Sequence, residues 1–150
     1  MENTLERNPI CSAMAGIMSV HYADIADVVS VKPNGGGVTV VLAPGKSWLE
    51  IETEAASMNV VPEEGGAYRH KADIVYHGNQ NNVQRSLLEM TLRRYLLKIT
   101  DNNGTEWLLG CMESALRMEY ESTNDGVPDG TTAYTLHFTA LCPMPEMRIC

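Results

Sequence analysis

The chain has 150 residues, 44% of them hydrophobic and 20% charged, with 11 Lys and Arg against 19 Asp and Glu and a net charge of -8. That composition describes one globular domain able to bury about two thirds of its extended surface. It counts against sequence-specific nucleic-acid binding, which needs clustered cations, and no run approaches the ~20 apolar residues of a membrane span.

The first ten residues read as loose, and the ordered core is expected over about residues 13–142. Glu2 and Glu6, with no basic stretch before the short apolar run, count against a signal peptide and favour cytosolic synthesis. Ala13 to Tyr22 reads as a first strand, Asp24 to Asp27 as a turn, and Val28 to Val31 as resumed strand. Lys32-Pro33-Asn34-Gly35-Gly36-Gly37 is a break before a short apolar strand, Val38 to Leu42. Trp48 to Ala56 alternates, with Glu50, Glu52 and Glu54 on one face and Leu49, Ile51 and Thr53 on the other. Ala67 to His77 alternates as well, with Tyr68, His70, Ala72, Ile74 and Tyr76 sharing a face. Paired as a hairpin, these two strands would place Glu54 opposite Arg69, Glu52 opposite Lys71 and Leu49 opposite Ile74.

The period then changes to helical. Val83, Leu87, Leu88, Met90 and Leu92 cover one arc from Val83 to Leu92, and Asn82 is placed to cap the start. At Arg93–Arg94 strict alternation returns: Tyr95, Leu97 and Ile99 face one way, and Arg94, Leu96, Lys98 and Thr100 the other. This predicts a half-buried strand. Asp101-Asn102-Asn103-Gly104 supplies a tight hairpin turn, because Asn-Gly tolerates positive φ. The return strand, Thr105 to Cys111, sets Trp107, Leu109 and Cys111 on one face. Leu116, Met118 and Tyr120 alternate next, then a long polar loop, Ser122 to Thr132. In the strand from Ala133 to Cys142, Tyr134, Leu136, Phe138 and Ala140 face inward. After Cys142-Pro143-Met144-Pro145 the last residues are expected to trail. About eight strands and one short helix predict a mainly β fold, an antiparallel β-sandwich or distorted barrel with the helix packed on it.

Residues able to do chemistry are scattered. The cysteines, Cys11, Cys111, Cys142 and Cys150, lack C-x-x-C spacing, and Cys111 and Cys142 read as buried small hydrophobes. His70 and His77 are seven apart on one strand, which puts them on opposite faces, and no H-x-H or HExxH occurs. The serines lack a nucleophile elbow, and Gly35-Gly36-Gly37 lacks the Lys-Ser/Thr of a phosphate loop. Asp125-Gly126-Val127-Pro128-Asp129-Gly130 lacks the closing glutamate of a calcium loop. The expectation is therefore no catalytic residue, no metal and no cofactor. Nine methionines serve equally as core fillers or as adaptable contact surfaces.

Several stretches taken together resemble a family. They are Gly16-Ile17-Met18-Ser19-Val20, Trp48-Leu49-Glu50-Ile51-Glu52, the helix with Arg85-Ser86-Leu87-Leu88, the run from Leu96 to Gly110, and Tyr134 to Thr139. This order resembles small virion structural proteins of phages and prophages from Bacteroides-type gut bacteria. It is similar in outline to tail-tube and related tail or neck proteins, β-sandwiches with a flanking helix that assemble into rings. The resemblance implies a non-enzymatic subunit whose partners are further copies of itself and other virion proteins. It would reside in the bacterial cytoplasm during assembly and then in the virion. Ring contacts would come from exposed strand edges and long loops, with Trp48, Met58, Tyr68, Asp125 and Asp129 as candidate subunit-contact residues. Two other classes compete. One is a ligand- or carbohydrate-binding β-sandwich using Trp48, Tyr68 and Tyr76; the other is a small hydrolase with a dispersed site.

Overall fold

Alternating segments separated by glycine turns form eleven strands among the described residues of the computed structural model, which are 17–53, 55–78, 80–123 and 132–149. In chain order they are β1 Ile17–Asp24, β2 Val28–Asn34, β3 Gly37–Leu42, β4 Leu49–Ile51, β5 Ala55–Pro62 and β6 Tyr68–Gly78. After the helix α1, Gln80–Met90, follow β7 Arg94–Asp101, β8 Glu106–Leu109, β9 Leu116–Thr123, β10 Thr132–Cys142 and β11 Met147–Arg148. The fold is mainly β, with antiparallel strand pairing and one short helix.

The pairing order is a continuous path. β4 pairs with β1, β1 with β7, β7 with β9, β9 with β10, β10 with β6, and β6 with β5. Only residues 52–54 separate β4 from β5, and the Thr53 hydroxyl in that link donates to the Val75 carbonyl of β6 at 2.6 Å. One bent segment thus leaves β1 and joins β6, which curls the sheet into a distorted barrel in which β4 pairs only with β1 and β5 only with β6. Val20, Ile51, Met58, Val60, Ile74, Leu97, Ile99, Leu116, Met118, Tyr134, Leu136 and Phe138 fill its interior. The rings of Tyr22, Tyr95 and Phe138 meet edge to face there, with centroids 5.6 and 6.2 Å apart. Burial pushes the Tyr95 hydroxyl up to about 12, so it stays protonated.

The β2–β3 hairpin forms a second, two-stranded sheet outside the barrel. Its Val28 and Val38 join Ala23, Leu96, Leu108 and Ala115 in a second core. Leu96 and Leu97 point to opposite faces of β7, yet both are 0% exposed. A half-buried strand was expected there. Alternation reports what leaves one face, and an apolar residue at an outward position was the only trace of a second covering layer.

Further expectations change. The Glu-rich strand does not pair with β6: Glu50 and Ile51 of β4 lie opposite His21 and Val20 of β1. β5 instead runs to Pro62, and it sets Val61 opposite Arg69, Asn59 opposite Lys71 and Ser57 opposite Asp73. The reversal at Glu64–Gly66, with φ of +82° at Gly65 and +80° at Gly66, fixes this register. Turn geometry outweighs the few tenths of a kcal/mol offered by cross-strand charge pairs. Arg69 finds its carboxylate at Glu63, 2.8 Å away. Leu49, expected inside, is exposed where β4 runs off the barrel. The C-terminal residues do not trail: β11 pairs with β8, and Ile149 bridges to Val38.

The helix exists but starts earlier, so Asn82 lies inside α1 and not before it. Among the described residues of the helix Leu87 points inward and Met90 is half-buried; Leu88, and Leu92 just past the helix end, stand in solvent. Leu88 and Leu92 therefore fall outside the buried arc that the sequence implied.

Candidate functional site

Of the five candidate contact residues, Met58 is 1% exposed and fills the barrel interior, which corrects its assignment to a surface. Trp48 is half-buried against the second core, with the Lys98 ammonium 5.2 Å from its ring centroid. Tyr68 is half-buried at the end of β6, opposite Cys142 of β10. Asp125 and Asp129, with most of the loop between β9 and β10, lie outside the described residues, as do Cys11, Cys150 and the Glu54 of the acidic face.

His70 is fully buried, and both ring nitrogens are used. Nδ1 accepts from the Gly110 N–H at 3.1 Å, so Nε2 carries the proton and donates to the Met144 carbonyl at 2.7 Å. Burial holds its pKa below the ordinary value. This histidine pins the segment after β10 and the loop after β8 to the barrel. His137 differs. On the outer face of β10 it sits between the Asp73 carboxylate, 2.5 Å from Nδ1, and the Glu121 carboxylate, 2.8 Å from Nε2. Hydrogen bonds to those carboxylates raise its pKa, and the bridge ties β6, β10 and β9 together across their registers. No serine, cysteine or threonine oxygen or sulfur contacts this imidazole among the described residues. The Cys111 and Cys142 thiols are buried and share the Ser114 carbonyl as acceptor, at 3.6 and 3.5 Å. Burial pushes the Cys142 thiol far up, which disfavours the reactive thiolate. Among the described residues no group of three or more His, Cys, Asp or Glu is placed to hold a metal ion.

Two clefts remain. The first lies between α1 and the barrel, about 260 Å³ in volume, and is lined by Tyr22, Ile51, Tyr76, Leu87, Met90 and Leu136 with Glu50 and Ser86 at its polar side. Its volume falls just short of the ~300 Å³ at which pockets begin to enclose small organic ligands.

The second, about 330 Å³, opens on the outer face of the barrel where β7, β9, β10 and β6 run side by side. Arg69, Arg94 and Arg117 line it with Ser114, Thr139, Leu141 and Glu119. Arg94 and Arg117 are directly opposite each other across β7 and β9, and Thr139 and Lys71 continue the same row across β10 and β6. Like charges facing across strands cost stability. Neither Arg94 nor Arg117 has a carboxylate within salt-bridge distance among the described residues. The sequence shows only that both arginines occupy outward positions of alternating strands. Their meeting depends on β7 pairing with β9 beyond the intervening β8, a register that no local pattern carries.

Compared with protein-family models, with curated proteins and with solved structures, the chain matches none.

Proposed function

We propose that this protein is a non-enzymatic structural subunit that self-associates, of the phage tail or neck kind that its sequence resembles. Its partners are then further copies and other virion proteins, met in the bacterial cytoplasm during assembly. The observation that carries this reading is the outer face of β5, β6 and β10, where Val61 and Leu141 flank Arg69 in register and are 39% and 45% exposed. Apolar side chains interleaved with arginine mark protein–protein interfaces more than solvated sheet faces, where charged and polar residues prevail. Val29 and Val41 on the β2–β3 hairpin, and Leu88 and Leu92 at the end of α1, add apolar surface elsewhere. The edge strands β4 and β5 of the distorted barrel add backbone groups for such contacts.

Native mass spectrometry tests the reading. Defined oligomers that grow with protein concentration are expected; a monomer at every concentration, alone and with the products of neighbouring genes, removes it.

A ligand-binding module is the second reading, supported by the cleft under α1 with its two tyrosines. Trp48, the stacking platform a carbohydrate would use, already has one face covered by Lys98. Quenching of tyrosine fluorescence by a panel of small aromatic and sugar ligands separates the two readings.

A further inference from the structure

We infer that the arginine cleft on the outer barrel face is an oxyanion site, occupied by a side-chain carboxylate of a second copy of this chain. The inference rests on the self-association proposed above and names the chemistry of one of its contacts. Arg69, Arg94 and Arg117, with Ser114 and Thr139, line one cavity of about 330 Å³. A guanidinium presents a planar fork of N–H donors that matches the two oxygens of a carboxylate, which makes arginine the usual partner for such groups.

The charge pattern is the telling part. In a chain with 19 acidic and 11 basic residues, neutralising a surface arginine is easy. Arg69 is neutralised, by Glu63 at 2.8 Å, and Arg93 pairs with Asp24 at 2.9 Å. Yet Arg94 and Arg117, which face each other across β7 and β9, have no such partner among the described residues. Glu119 lines the same cleft, but it makes no ion pair with either arginine among the described residues. An anion arriving from outside would relieve the repulsion, which is the differential interaction a binding site needs.

The rim identifies the source. Leu141 lines the cleft and Val61 lies one strand beyond Arg69, both exposed. A free ion gains nothing from apolar side chains, whereas a protein surface buries them as it delivers its carboxylate. A molecule of net charge -8 carries many such carboxylates, and Glu50 and Glu52 of the exposed acidic strand are among them.

The test uses the full chain and the double variant Arg94→Gln/Arg117→Gln, with Lys32→Gln/Lys46→Gln as a control for the same change in net charge. Light scattering across a concentration series measures association, and circular dichroism melts check folding. The double variant is expected to fold, with an unchanged or higher Tm because the facing charges are gone, and to associate at least about tenfold more weakly than the control. Added inorganic phosphate, as a competing oxyanion, is expected to weaken wild-type association and to leave the residual association of the double variant unchanged. Wild-type-like association by a folded double variant overturns the inference and leaves self-association standing. A wild-type chain that stays monomeric but binds inorganic phosphate through these arginines overturns it in favour of a free-ion site. A monomer that binds no phosphate removes the site and the self-association together.

Discussion

Single residues hold this barrel at two points where a lost group cannot be replaced by water. Asp101, at the end of β7, is 2% exposed; its Oδ1 accepts the N–H of Asn103 and of Thr105, and its Oδ2 accepts the indole N–H of Trp107. One carboxylate thus sets both the turn and the tryptophan that follows it. Asp101→Ala leaves these donors without a partner and is expected to cost about 2–3 kcal/mol, read from the urea midpoint. His70 carries a pH dependence. Its native pKa lies below the ordinary 6.5, so below that pH the unfolded chain takes up a proton that the native state refuses. Its contribution is full above pH 6.5 and is lost as the pH falls. His137 has the opposite sign, because its raised pKa favours the native state at low pH and that benefit fades as the pH rises through its native value. It is partly exposed, so solvent screens most of this effect. A His137→Gln variant is therefore expected to lack the gain in stability that wild type shows as the pH falls from the raised native value to about 6.5, and to run parallel to wild type below that, while His70→Gln flattens the profile below pH 6.5. Urea titrations at a series of pH values measure both slopes.

At the scale of elements, local pattern and tertiary coverage can be told apart. The change from helical to alternating spacing at Arg93–Arg94, the Asn-Gly turn, and the inward residues of β6, β7, β9 and β10 were all legible, because each depends on residues close in sequence. Three things were not. The β4–β5 bend sends one alternating stretch to two different partners. The β2–β3 hairpin covers an outward face, and the last residues of the chain are tied down by a histidine more than 70 positions earlier. The arginine cleft belongs with these, since it joins four strands. Coverage of both faces of β7 has a direct consequence. Leu96→Ala and Leu97→Ala should each cost about 2–5 kcal/mol, as fully buried leucines do. If the hairpin did not pack there, Leu96→Ala would cost a few tenths, as on a solvated face, and thermal melts would show it at once.

The molecule as a whole is a distorted barrel braced by an outer hairpin, with an acidic net charge and a local cationic cleft set beside exposed valine and leucine. Uneven charge and apolar surface side by side are what the proposed docking role uses. Contacts steered by charge weaken as salt shortens the Debye length, so association is expected to fall between low and high ionic strength. The most direct measurement is sedimentation velocity of the full chain from micromolar to millimolar concentration at low salt. The account predicts a sedimentation coefficient that climbs with concentration to a defined oligomer. A coefficient fixed at the value of a 16.5 kDa monomer throughout would contradict it.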